Sequence, residues 1–157
     1  MYNLVMRMAE NDYLPACAYY GIGVAPFSPL ARGALTGKYD RNGQPPAGSR
    51  AARGDNSLMT RDLKPRVLEV VEALRAHVAG RDLSLAEFAV QWVLANRTVT
   101  SVIAGPRTLE QWQSYIAAMD KALGPEDESI VDALVAKGHP ATPGLVWARH
   151  PPLGRVV

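Results

Sequence analysis

The sequence predicts an α/β fold with about three parallel strands and flanking helices, and three observations carry that expectation. Short apolar, β-branched runs alternate with stretches of helical periodicity, the pattern of parallel strands joined by crossover helices. Two of these runs end in turns that bear Gly, Pro and basic residues. Two S/T-x-x-E/Q capping sequences, at residues 84–87 and 108–111, mark where helices begin.

Taken in order, residues 2–6 form a first candidate strand. Residues 10–20 read as a helix in which Pro15 is tolerated in the first turn, with Gly21 as the stop. Residues 22–27 read as a buried second strand whose pairing ends near Pro26, a residue with no N–H to donate. Residues 28–60 are rich in Gly and Pro and show no sustained period. A loop of that length inside a compact domain is usually functional or disordered. Leu63, Val67, Val70, Val71, Leu74 and Val78 then recur at helical spacing up to Gly80. Ser84 and Glu87 open the next helix, with Leu85, Phe88, Ala89, Trp92 and Val93 on one face. Residues 99–103 form the third strand, and Thr108 opens a helix to about Leu123. Gly124 and Pro125 start the last helix, where Glu126, Asp127 and Glu128 complement the positive end of its dipole, and Gly138 follows its end at Lys137. Pro140, Pro143, Pro151 and Pro152 indicate extended chain. The organisation is one body over residues 1–144 and a Pro-rich tail over 145–157.

Bulk properties exclude several classes. The 157 residues suffice for one core but not for a complete (β/α)8 barrel, which needs roughly 200–250 residues. A single cysteine, Cys17, excludes an intramolecular disulfide framework. There is no apolar run long enough for a membrane span and no basic-then-apolar leader, so the expected location is cytoplasmic. The net charge of +2 does not argue for nucleic acid. Its distribution is uneven: residues 28–66 hold eight Lys and Arg against three Asp, the rest of the chain nine against twelve acidic residues. That stretch suggests either an anionic ligand or a solvated loop. It lacks the interleaved aromatics of a nucleic-acid surface.

Candidate chemistry lies at two strand ends. Residues 101–108, Ser-Val-Ile-Ala-Gly-Pro-Arg-Thr, run from strand to helix start, where free N–H groups, Gly105 and Arg107 suit a phosphate. The same residues also make an ordinary strand-to-helix turn. Residues 25–39 leave the second strand with Ser28, Arg32, Gly33, Gly37 and Lys38, the side of α/β sheets where ligands bind. His77 reads as an exposed or partly packed residue of a helix, Cys17 as a small core residue, and His139 and His150 lie among the prolines of the tail. Trp92 and Trp112 read as packing residues. No metal-ligand spacing and no Ser–His–Asp set is legible.

The run from Gly21 through Ala25-Pro26-Phe27-Ser28-Pro29-Leu30-Ala31-Arg32-Gly33 to Lys38-Tyr39 closely resembles the seventh-strand segment of aldo-keto reductases. Residues 84–92, 99–105 and 107–111 resemble the helix, eighth strand and helix start that follow it. Tyr2-Asn3-Leu4 resembles the sixth strand, and residues 138–144 the tail of some bacterial members. The resemblance implies a half TIM-type (β/α)8 barrel and an NADP(H) site. Phe27 would stack on the nicotinamide, and Ser28, Pro29, Leu30, Ala31, Arg32 and Lys38 would line the pyrophosphate. Arg50 would sit in the covering loop. Gly105, Arg107 and Gln111 would hold the adenosine end, with Arg107 near the 2′-phosphate. The family commonly carries Glu-Asn, which contacts the adenine, where this chain has Ser114 and Tyr115, and the tail around Trp147 also departs from the pattern.

The family's Asp–Tyr–Lys–His tetrad comes from the first half of the barrel, and no match to those motifs occurs here. No catalytic residue is therefore assigned, and the chain by itself is expected to be inactive. Three readings follow. It is a truncated enzyme that pairs with a separately encoded N-terminal half-barrel and takes a small carbonyl substrate only when complete. It is a stand-alone NADP(H)- or phosphate-binding module. Or it is a half-barrel that dimerises through its open edges.

Overall fold

The computed structural model describes residues 1–41 and 43–144. The expected tail, residues 145–157 with His150, lies outside the described residues.

Five α-helices dominate the described residues. Helix α1, Tyr13–Tyr20, starts at Asp12, whose carboxylate accepts from the Tyr13 N–H at 2.6 Å, and Pro15 sits in its first turn. It ends at Gly21, whose left-handed φ of 67° lets the Ile22 N–H turn back to the Cys17 carbonyl. Cys17 is buried, as a small packing residue. Helix α2, Pro65–Val78, and helix α3, Leu85–Leu94, supply the centre of the core. Val67, Val70, Val71, Leu74 and Val78 of α2 are buried with Leu85, Phe88, Ala89, Val90, Trp92 and Val93 of α3, so the two periodic apolar faces meet as the sequence pattern requires. The α3 capping box forms in both directions: the Ser84 N–H donates to Glu87 at 2.7 Å and the Glu87 N–H to Ser84 Oγ at 3.2 Å.

Helices α4, Leu109–Ala118, and α5, Pro125–Leu134, end before the expected positions. After Ala118 the N–H groups of Met119, Asp120 and Lys121 bond three residues back, while Lys121 Nζ reaches the Asp82 carbonyl and Glu87. At the end of α5, Val135 turns to extended backbone and its carbonyl accepts from Arg7 Nη1 at 2.9 Å. Arg7 is almost fully buried, ion-paired with Glu10 and Asp132, and stacked on Trp92 with its guanidinium carbon 5.2 Å from the ring centroid. A tertiary partner thus ends α5 one turn early.

The strand expectations need correction. Among the described residues, parallel pairing is confined to Val24 with Val99 and Phe27 with Ile103. It is held by the Thr100 N–H to the Val24 carbonyl at 2.8 Å and the Ile103 N–H to the Pro26 carbonyl at 2.9 Å. Thr100 Oγ1 also accepts from the Val24 N–H, and a Cβ on Gly23 would come within 3.1 Å of that oxygen, so glycine there permits the approach. Residues 2–6 form a tight reversal instead of a strand. Asn3 and Met6 exchange both backbone hydrogen bonds, and Asn3 Oδ1 accepts from the Val5 N–H at 3.1 Å, a turn held by an asparagine side chain. Residues 139–141 then pair antiparallel with residues 5–7. The described residues therefore hold two short parallel-paired segments, and neither a three-stranded parallel sheet nor a barrel. No helix among them is long and apolar enough to cross a membrane.

Candidate functional site

The two parallel-paired segments end side by side, and one cavity of about 340 Å³ opens beyond them. It is lined by Phe27, Ser28, Pro29, Leu30, Arg32, Lys38, Arg50, Gly105, Arg107 and Gln111. Ala31, the remaining residue expected to line it, is fully buried beneath the turn. Gly33, Thr36, Ile103, Ala104 and Tyr115 complete the wall.

The turn after Phe27 is unusual in its backbone. Ser28, Ala31 and Arg32 all have left-handed φ, at 58°, 45° and 54°, followed by Gly33 at 98°. Left-handed backbone at three non-glycine residues costs energy and persists only where the surroundings enforce it. Here the Ala31 N–H bonds the Ser28 carbonyl and the N–H groups of Gly33 and Leu35 share the Leu30 carbonyl. Ala31, Ala34 and Leu35 fill the core below. The Ser28 carbonyl also accepts from Asn3 Nδ2 at 2.8 Å, and Asn3 is fully buried. Asn3 thereby fixes the turn that carries Phe27, whose side chain stays partly exposed at the cavity.

At least four of the eight Lys and Arg of residues 28–66 meet carboxylates. Arg32 meets buried Asp62 at 2.6 Å, Arg50 meets Asp55 at 3.2 Å, and Arg41 and Arg66 both meet Glu69. Asp55 is held below the usual carboxylate range, first by the Leu58 N–H and then by Arg50. Lys38 and Arg107 have no carboxylate partner among the described residues. The Lys38 ammonium lies over Gly33, 3.2 Å from where a Cβ would stand, and 5.2 Å from the Tyr39 ring centroid. Arg107 Nη1 reaches the Gly48 carbonyl at 3.4 Å, joining the 43–57 loop to the start of α4. No Asp or Glu among the described residues lines the cavity, so an anion placed there meets cations and backbone N–H groups.

At the start of α4 only half of the expected capping box forms. Thr108 Oγ1 accepts from the Gln111 N–H at 3.2 Å, while Gln111 Oε1 accepts from the Arg107 N–H at 2.8 Å. A Cβ on Gly105 would meet nothing within 4 Å, so the backbone there is open to the cavity. Tyr115 packs against the core and lines the cavity, and burial raises its hydroxyl pKa. Ser114 instead bonds Glu87 at 3.1 Å, outside the cavity. Tyr115 had a legible signal, since Gln111 and Tyr115 lie four residues apart and so share a face of α4. Asn3 and Asp62 had none, because their partners are distant in sequence.

The other singled-out side chains lie elsewhere. His77 Nε2 is 2.6 Å from Asp127 Oδ1. Asp127, fully buried, also holds Arg81 through both oxygens and caps α5 through the Gly124 N–H. Its carboxyl is held far below the usual range, chiefly by Arg81. His139 Nδ1 lies 2.8 Å from the Lys137 carbonyl. Trp92 is buried and donates to Glu128 at 2.7 Å, whereas Trp112, expected to pack, is half exposed on α4. No cluster that could hold a metal occurs among the described residues.

Comparison with known proteins places these residues in context. The model of the Aldo/keto reductase family matches residues 1–136. A probable voltage-gated potassium channel subunit beta of Oryza sativa subsp. japonica is 37% identical over 138 residues, covering 85% of this chain and 42% of the relative. The uncharacterized oxidoreductase YrpG of Bacillus subtilis (strain 168) is 37% identical over 125 residues, covering 80% of this chain and 36% of its own length. An NADH-specific methylglyoxal reductase of Escherichia coli (strain K12) is 28% identical over 130 residues, covering 83% and 39%. The chain thus spans well under half the length of each of these relatives.

Proposed function

This chain belongs to the aldo/keto reductase family, and from that premise we propose that it is the NADP(H)-binding portion of a cytoplasmic oxidoreductase that interconverts carbonyls and alcohols. One observation carries the reading: among the described residues, a single cavity is lined by two aromatic rings, Phe27 and Tyr115, by four cations, and by no carboxylate. That donor set fits a ligand with aromatic ends and an anionic middle, which is what a dinucleotide is. When bound, the cofactor supplies the hydride. Phe27 gives the nicotinamide ring a face to stack on. Lys38, Arg32 and the N–H groups of the 28–33 turn hold the pyrophosphate, Gly105 leaves its backbone free for close approach, and Arg50 and Arg107 close over the ligand from the 43–57 loop and the start of α4. The phosphate carried by NADPH but not NADH falls to Arg107.

The chain supplies binding, and the groups that polarise the carbonyl and deliver the proton belong to the other part of the barrel. Completion of the barrel fits the surface. Leu109, Trp112, Ile116 and Met119 lie on one side of α4 at helical spacing and are exposed, as are Ile22 and Ile103 of the paired segments. We assign these faces to the N-terminal half of the barrel, whether in a longer chain or encoded separately. The test has two parts. The purified chain should bind NADPH in a calorimetric titration and more weakly bind NADH, without oxidising NADPH in the presence of aldehydes. Co-expression with a family N-terminal half should yield aldehyde-dependent NADPH oxidation. Turnover by the chain alone that is abolished on substituting Phe27 or Arg107 would refute the division of labour. A stable dimer with no NADPH affinity would instead identify a second copy as the partner.

A further inference from the structure

Four cations line the cavity, and three of them are tied to an oxygen of the protein: Arg32 to Asp62, Arg50 to Asp55 and Arg107 to the Gly48 carbonyl. Lys38 is held by a ring. Its ammonium lies 5.2 Å from the Tyr39 centroid, within the range of a cation–π contact. Lys38 itself is exposed, whereas Tyr39 is 6% exposed and belongs to the core. The Tyr39 hydroxyl is buried and has no hydrogen-bond partner among the described residues. What Tyr39 offers its neighbour is therefore the face of its ring, fixed in place by the core around it.

We propose that Tyr39 is the positioning residue of Lys38, holding the ammonium at the cavity without neutralising it. A ring attracts a cation through its quadrupole and carries no net charge. A carboxylate in the same place would cancel the charge that an anionic ligand meets, as Asp62 does for Arg32. A lysine stem ordered before the ligand arrives also loses less freedom on binding. The proposal rests on the dinucleotide reading above and assigns how one of its pyrophosphate cations is set in place.

Calorimetric titration of the chain with inorganic pyrophosphate tests this, using wild type, Tyr39→Phe, Tyr39→Leu, Lys38→Met and the double variant of Lys38→Met with Tyr39→Leu. Tyr39→Leu should weaken binding about threefold, the scale of one exposed cation–π contact. Tyr39→Phe keeps the ring and should restore wild-type affinity. In the Lys38→Met background Tyr39→Leu should cost nothing more, since the two residues act as one unit. A threefold loss that persists without Lys38 would overturn the proposal, because Tyr39 would then act through packing alone. So would unchanged affinity in folded Tyr39→Leu, or a loss in Tyr39→Phe equal to that in Tyr39→Leu. Proton NMR of wild type decides the matter should Tyr39→Leu fail to fold. The Lys38 ε-methylene protons, identified by their loss in Lys38→Met, should be shifted upfield by the ring current, and an unshifted resonance would overturn the proposal. Failure of wild type to bind either pyrophosphate or NADPH would remove the dinucleotide reading, and this proposal with it, whereas binding that ignores Tyr39 would remove the proposal alone.

Discussion

Asp62 does not line the cavity, yet it holds a cation that does, and replacing it by Asn should have opposite effects on stability and on anion binding. The Arg32–Asp62 pair is 2.6 Å long, with the Arg side chain 19% and the Asp side chain 6% exposed. Breaking a fully buried pair by removing one partner costs about 3–5 kcal/mol. Here the guanidinium keeps some water and the amide keeps an acceptor, which brings the expected loss to about 2 kcal/mol. For a chain of this size that is a drop of about 4–8 °C in Tm. The same substitution frees one positive charge and removes one negative charge behind the cavity. At an effective dielectric near 20 and with salt screening, this favours a bound anion by about 1 kcal/mol, or about fivefold in affinity. The assay is thermal unfolding of wild type and Asp62→Asn with and without saturating inorganic pyrophosphate, with calorimetry for affinity. Asp62→Asn should melt lower when free and gain more from pyrophosphate, and Arg32→Gln in the same background should erase the extra gain. Equal pyrophosphate-induced shifts in wild type and Asp62→Asn would refute the reasoning, because Arg32 would then not act on the ligand.

Two further outcomes are expected. Asp127 has a folded-state pKa below its unfolded value, so its contribution is complete above about pH 4 and is lost as pH falls below that. Urea midpoints of wild type and Asp127→Asn should therefore differ most at neutral pH and draw progressively closer as pH falls below about 4, and a constant gap would show that the pair with Arg81 does not stabilise α5. Gly33→Ala places a Cβ on backbone at φ 98° and 3.2 Å from the Lys38 ammonium. It should cost about 1–2 kcal/mol and weaken pyrophosphate binding several-fold by displacing that ammonium, so unchanged calorimetric affinity would remove Lys38 from the site.

How much of this was legible depends on where each determinant sits. The α2 and α3 faces could be read from spacing alone, because helical periodicity places Val67, Val70, Val71 and Leu74, or Phe88, Ala89, Trp92 and Val93, on one side whatever they meet. The α3 capping box was legible for the same reason, as all of its donors and acceptors lie within four residues. The box at residue 108 was misread because Gln111 had two backbone N–H groups within reach and took that of Arg107. The strand expectation for residues 2–6 failed because apolar composition cannot distinguish a strand from a turn closed by Asn3. Trp112 was expected to pack because spacing names a face without naming what covers it.

By itself, then, the sequence determined the helices, the core-facing stripes and the two basic, glycine-bearing turns, since local spacing and short-range hydrogen bonds encode all of these. Only the tertiary structure decided that the two turns share one cavity, that Ala31 lies under its wall while Tyr115 forms part of it, and which cations remain unpaired. It also decided that Asn3 anchors the Phe27 turn from 25 residues away and that Asp62 restrains Arg32 from 30 residues away. Such contacts depend on where the packed core brings distant backbone together, and no local pattern records that.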